Sequence, residues 1–208
     1  MPLTDACLAL TSMTSKTWAC ASVAVGVALA GCSTGSHSGG TSGSATTPDQ
    51  QLTETNPPGD IPDTQVFVAY PTKTFTVQVP EGWARTISGA SVMFTDKYNS
   101  ITIASQHAVD GPTVASATAI EIPAIRAHVV GFAQPKIVTV ARSAGRAILI
   151  SYRADSAPNS VTGKVAVEDV ERYEFYRSGI EVILTLAAPK GSDNVDPWRR
   201  VTDSFTWR

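Results

Sequence analysis

Histidines and cysteines are the side chains best suited to metal binding and nucleophilic chemistry, and this chain has three of each in 208 residues. His37, His107 and His128 are too far apart for any pair to have metal-site spacing, and no two cysteines have it either. An activated serine for acyl transfer would sit in a Gly-x-Ser-x-Gly elbow, and none occurs in the region expected to fold. His107 follows an expected strand and His128 closes an expected helix; without a companion motif both read as surface or internally bonded residues. Gly191-Ser192-Asp193-Asn194-Val195-Asp196 offers oxygen ligands but lacks the glycine and terminal glutamate of a calcium loop. A turn with Asp196 capping the next helix explains it better. The richest stretch is Glu168 to Arg177, with four acids and two arginines among aromatics. On a strand Arg172, Glu174 and Tyr176 alternate outward, which gives either a row of cross-strand ion pairs or a binding face anchored by Tyr176. Arg199 and Arg200 read as a polar helix face. These residues assemble no catalytic set, so the chain is expected not to be an enzyme and to need neither cofactor nor metal.

One cysteine is a different matter. The run from Trp18 to Gly31 carries no charge, follows Lys16, and ends in Leu29-Ala30-Gly31-Cys32. A positive start, a short apolar core and small residues at the end make an export signal. At roughly 14 residues the run is shorter than the ~20 that a bilayer span requires. Leu29, Ala30, Gly31 and Cys32 resemble the bacterial lipobox at every position. That resemblance implies cleavage after Gly31 and a lipid on the sulfur of Cys32. The competing reading is an ordinary secretory signal with a chance cysteine behind it. Met1 to Ser12 is a weak leader whose only charge is Asp5, and Met13-Thr14-Ser15-Lys16 offers an alternative start.

Three regions follow: a signal peptide at 1–31, a lipid-anchored tether at 32–65, and one domain at 66–208. The tether is rich in Gly, Ser and Thr and then in Pro (Pro48, Pro57, Pro58, Pro62). Some 30 flexible residues reach on the order of 30 Å, enough to hold a domain off a membrane. Structure is expected to begin at about Val66. The domain is large enough for a real core. Cys7 and Cys20 leave with the signal and Cys32 carries the lipid, so packing rather than disulfides must hold it. A formal net charge of -2 without a basic run argues against nucleic acid.

Within the domain, Thr74 to Val79 alternates strictly, with Phe75, Val77 and Val79 on one face. Pro80-Glu81-Gly82 turns the chain, and Trp83 is a candidate core anchor. Val92–Thr95 and Ile101–Ala104 read as a hairpin. Val114 to Val130 reads as a helix capped by Thr113, kinked or split by Pro123. Lys136–Ala141 and Ala147–Arg153 are strands about Ser143-Ala144-Gly145. Val165–Val167 begins another strand, and Val170–Arg177 and Ile180–Leu186 form a hairpin turned by Ser178-Gly179. Asp196 as cap and Pro197 at the first helical position start a closing helix with Trp198, Val201 and Phe205 on one stripe. The fold class is α+β: an antiparallel sheet of about seven strands covered by helices.

Phe-x-Val-x-Val-Pro-Glu-Gly-Trp at 75–83, the mid-chain helix and the closing Val-Thr-Asp-Ser-Phe-Thr-Trp resemble the PsbP-like fold. Within it the chain is most similar to uncharacterised lipoproteins of actinobacteria. The resemblance implies an α/β/α sandwich and a binding or assembly role rather than an enzyme. Two readings of function follow. In the first, a lipoprotein on the outer face of the cell membrane binds an envelope protein complex. In the second, it carries a lipid or other apolar small molecule between helix and sheet, lined by the small side chains of Val114 to Val130. A hydrolase with no recognisable motif is a third.

Overall fold

The computed structural model describes residues 59–159 and 162–208. The expected signal segment, Leu29 to Cys32 and the tether up to residue 58 lie outside the described residues. Among the described residues no helix is long and apolar enough to cross a membrane.

Strands β1 (Phe67–Pro71) and β2 (Phe75–Pro80) pair antiparallel, and the last strand, β10 (Thr206–Trp207), adds to the other edge of β2. A second, seven-stranded antiparallel sheet is built from β3 (Ala84–Ser88), β4 (Ser91–Asp96), β5 (Asn99–His107), β6 (Ala133–Arg142), β7 (Gly145–Asp155), β8 (Val167–Arg177) and β9 (Ile180–Pro189). Its order is β3-β4-β5-β9-β8-β7-β6. The β8–β9 turn works because Ser178 and Gly179 both adopt positive φ, 50° and 82°. Two left-handed residues give a turn whose twist matches the strands. It sets Tyr173 opposite Leu184 and Phe175 opposite Val182.

Strand β7 shows why the middle of this sheet reads as an almost continuous apolar run. Side chains alternate between faces, yet Ala147 and Leu149 pack on one side while Ile148, Ile150, Tyr152 and Ala154 pack on the other. Both faces are covered. On the first, Phe94, Ile101, Tyr173, Phe175, Val182, Leu184 and Leu186 meet Phe75, Val77 and Val79 of β2, and Trp198 and Val201 of α3 (Val195–Asp203). Phe205 is fully buried there, with its ring centroid 4.4 Å from that of Phe175 and 5.3 Å from that of Phe75. On the second face lies the mid-chain helix: α1 (Val114–Ser116), a π-helical turn (Ala117–Glu121) and α2 (Ile122–His128). Its Ala117, Ile122 and Ile125, with Val129 and Phe132 just beyond, pack on Ile148, Ile150, Tyr152 and Val170.

Pro123 explains the π turn. It has no N–H to donate and its ring crowds the carbonyl four residues back. The chain widens by one residue, so that Ile122 N–H bonds the Ala117 carbonyl instead. Thr113 caps the helix as expected, and Ser116 returns a bond to the Thr113 N–H.

The α+β class and the seven-stranded sheet match the sequence reading, with five differences. Phe75–Pro80 is not in the large sheet but in the small one, because Trp207 pairs with Phe75 and completes a second layer. One face is therefore covered by a sheet and α3 together, not by helices alone. The edge strand β3, exposed along its whole length, takes the vacant place. The closing helix ends at Asp203, and Phe205 leads into β10. Trp83 is half-buried at the margin of the core rather than an anchor within it.

The remaining difference is a clasp. The cap position of α3 is Asn194, not Asp196, and its side chain caps nothing. Its Oδ1 accepts from Ile61 N at 2.8 Å, and its Nδ2 donates to the Gly59 carbonyl at 2.9 Å and to Asn99 Oδ1 at 3.0 Å. Ile61 is 5% exposed within the core. The packed chain thus includes residues from Gly59 on, ahead of the expected start at Val66.

Candidate functional site

Strand β8 sends Tyr173 and Phe175 into the layer under α3 and β2, and Arg172, Glu174 and Tyr176 to the side of the mid-chain helix. The parity expected from sequence holds. The expectation of an open, solvated row does not, because the helix covers it: Glu174 is 1% exposed. Arg172 Nε donates to Glu174 Oε1 at 2.8 Å, and Arg172 Nη2 donates to Glu121 Oε2, on the π turn, at 3.0 Å. The ion pairs of Arg172 run along one strand and up to the helix; the cross-strand pairing expected for this stretch occurs instead between Arg153 Nε on β7 and Asp169 Oδ1 on β8, 3.0 Å apart. Nearby, Gln106 Nε2 donates to Glu181 Oε2 at 2.7 Å, and Glu181 is 9% exposed. Tyr176 is half-buried, with its hydroxyl committed to the Val109 carbonyl at 2.9 Å.

Glu174 Oε2 has no hydrogen-bond partner, alone in this respect among the buried side-chain polar atoms of the described residues. Such an atom costs the desolvation of a polar group with nothing in return. Burial pushes the Glu174 carboxyl above its ordinary pKa; Arg172 opposes the rise, and Glu121 and Glu181 add to it. Glu121 and Glu181 thus act on this carboxyl against the half-buried guanidinium of Arg172.

The same glutamate lines a cavity of about 360 Å³ at the start of the mid-chain helix. The floor is a cross-strand row, Thr139, Ile148 and Glu174, on β6, β7 and β8. Arg146 and Tyr176 line it beside that row, and Gly111 to Val114 form the wall. Gly111 must be glycine, since a Cβ there would lie 2.8 Å from Tyr176 Cδ1. Arg146 is exposed, and no hydrogen bond or ion pair engages its guanidinium within the described residues.

A second cavity, of about 390 Å³, lies on the other face between the sheet and α3. It too centres on β8, but its polar groups are partnered. Tyr173 OH donates to Glu171 Oε2 at 2.6 Å and accepts from Arg142 Nη2 at 2.9 Å. Arg142 Nε donates to Thr202 Oγ1 at 3.0 Å, and the guanidinium lies 4.9 Å from the Tyr173 ring centre. Burial, then Glu171, raises the pKa of the Tyr173 hydroxyl, which keeps it a neutral donor.

Neither His107 nor His128 lines either cavity. Gly191 to Asp196 serves as a turn: Ser192 N–H bonds the Pro189 carbonyl, Asp193 N–H bonds Asp60 Oδ1, and Asn194 holds the clasp. Arg199 pairs loosely with Asp203 at 3.6 Å, and Arg200 lies over the Phe67 ring at 4.5 Å. Sequence reasoning reached Arg172, Glu174 and Tyr176 but missed Glu121, Thr139, Arg146 and Glu181. Hairpin register would have placed Thr139 opposite Ile148; nothing in the sequence says which helix residue lies over Arg172.

No protein-family model matches the chain, and no curated protein matches it at a significant level. Solved structures do show likenesses. A Bacteroides thetaiotaomicron protein aligns at 12% identity and TM-score 0.39 over 64% of this chain, which spans 45% of that protein's length. The Ran-binding protein Mog1p of Saccharomyces cerevisiae aligns at 10% identity and TM-score 0.42, over 68% of this chain and 95% of its own. LpqN, described as involved in cell envelope biogenesis of Mycobacterium tuberculosis, aligns at 14% identity and TM-score 0.37, over 69% and 90%.

Proposed function

We propose that this chain is a membrane-anchored lipoprotein of the cell envelope and that its domain is a non-enzymatic binding or assembly module for an envelope protein complex. The location rests on Leu29-Ala30-Gly31-Cys32 at the end of an uncharged run, with a Gly/Ser/Thr-rich tether behind it. A PsbP-like domain on such a tether would work at the outer face of the membrane.

The observation that carries the binding reading is Glu174, a residue of the helix-side cavity lining whose buried Oε2 has no partner. A fold gains nothing in stability from such an atom, whereas a ligand that satisfies it gains a hydrogen bond sheltered from water. The apolar-carrier reading finds less support. The helix–sheet interface is filled by Ala117, Ile122 and Ile125 against Ile148, Ile150 and Val170, and the cavity beside it carries Glu174, Thr139 and Arg146.

Two measurements test the proposal. Cys32→Ala should abolish labelling by an alkyne fatty acid in growing cells; a variant still labelled overturns the anchor. Cross-linking on intact cells should capture a partner with the wild-type chain and lose it with Glu174→Gln. Equal capture by both would move the binding surface away from the cavity.

A further inference from the structure

We propose that the helix-side cavity is a binding site for a primary ammonium group, seated by its N–H donors on Glu174 Oε2. The inference rests on the binding-module reading above and names the chemistry of that site.

Three observations lead to it. The first is the orphan oxygen: Oε1 is held by Arg172 while Oε2 has no partner, and Glu174 is 1% exposed. Arg172 on Oε1 favours the ionised carboxylate, and in that form the missing group is a donor. The second is charge. Glu121, Glu174 and Glu181 outnumber Arg172 and Arg146 around the cavity, three against two, so a cation arriving from outside is favoured over an anion. The third is space. A cavity of about 360 Å³ admits a small molecule or one long side chain, with Thr139 and Arg146 in its lining.

An ammonium suits this site better than a quaternary amine. A trimethylammonium group has the charge but no N–H to offer an oxygen that lacks a hydrogen bond. Arg146, unpaired at the cavity, provides a second point of contact for an anionic group on the same ligand. Two sources present this chemistry: a lysine of a partner protein, or a small zwitterion such as an ethanolamine phosphate head group.

The test is calorimetric titration of the purified full chain with n-butylamine, n-butyltrimethylammonium and O-phosphoethanolamine. The expected result is saturable binding of a primary amine at least tenfold tighter than the quaternary ion, lost at least tenfold in Glu174→Gln. Phosphoethanolamine binding more tightly than butylamine, with the difference removed by Arg146→Gln, identifies the zwitterion as the source. Butylamine binding as tightly or more so identifies a lysine side chain. Equal binding of the quaternary ion, binding that survives Glu174→Gln, or no saturable amine binding overturns the proposal. Thr139→Trp, which fills the cavity from two strands away and keeps the Glu174 carboxylate, serves as the second variant and should also abolish binding. Cross-linking that depends on Glu174, with no amine binding, would defeat the ammonium assignment and leave the binding-module reading standing.

Discussion

Tyr173 and Glu174 adjoin on β8 and point into opposite layers. Tyr173 is 2% exposed and Glu174 1%, so both pay the desolvation of a polar group. On the α3 side the debt is met: Glu171, Arg142 and Thr202 form a chain of bonds in which the tyrosine both donates and accepts. On the helix side it is not, since Arg172 reaches only one oxygen of the glutamate and divides itself with Glu121. The first cluster has the form of a device that locks a core. The second has the form of a site awaiting a partner. On the proposed reading, two neighbouring residues of one strand separate stability from recognition.

The sharpest way to break the α3 side is at its clasp. Asn194→Ala removes the bonds to Ile61, Gly59 and Asn99 and leaves a buried N–H and carbonyl unpaired. A loss of about 2–4 kcal/mol is expected in urea unfolding; a loss under half a kcal/mol would show that residues 59–61 are not part of the cooperative unit. Tyr173→Phe keeps the ring and deletes the hydroxyl, which strands Glu171 Oε2 and removes one of the bonds of Arg142. It should lower stability by about 1–2 kcal/mol in the same assay.

Glu174→Gln should behave in the opposite sense. Burial raises the Glu174 carboxyl above its ordinary value of 4.5, so the folded protein holds that proton to higher pH than the unfolded chain does. Stability then falls as pH climbs through the interval just above 4.5 and returns on acidification. Burial of Glu168 adds a slope of the same sign, so the informative quantity is the difference between wild type and variant. The variant should be at least as stable as wild type at pH 8, with its advantage shrinking toward pH 4.5; thermal melts across that range check it. A variant less stable at every pH would make Glu174 a structural residue like Tyr173. The smallest effect is expected at the rim of the α3 side, where Arg199 and Asp203 pair across one helical turn at 67% and 38% exposure. Arg199→Ala should change stability by less than about 0.5 kcal/mol, with any loss vanishing in high salt.

How much of this was legible depends on whether local pattern or distant contact carried the information. The β8–β9 hairpin was readable because alternation over Val170–Arg177 and Ile180–Leu186 flanks a Ser-Gly pair suited to a left-handed turn. The split helix was readable because a proline acts on its own turn. Strand β3 was not, since an edge strand exposed at every position carries no alternation to detect. Ile61 was not, because it sits among prolines in what reads as tether, and its burial is secured by Asn194, 133 positions away. Asn194 itself misled for a related reason. The local rule for a helix start pointed to Asp196 and Pro197, while the asparagine at the cap position is engaged by a distant segment.

By itself the sequence determined the parity of strands such as β2, β8 and β9, the turns between β6 and β7 and between β8 and β9, the break at Pro123, and the motif ending in Cys32 on which the envelope reading depends. All of these follow from a residue's own geometry or from neighbours within a few positions. The tertiary structure alone decided which layer covers each face, and with it the difference between Tyr173 and Glu174. Alternation assigns a side chain to a face, but the burial and satisfaction of a polar group depend on what long-range packing lays over it. For Glu174 that was a helix whose Glu121 takes half of Arg172 and leaves one oxygen bare.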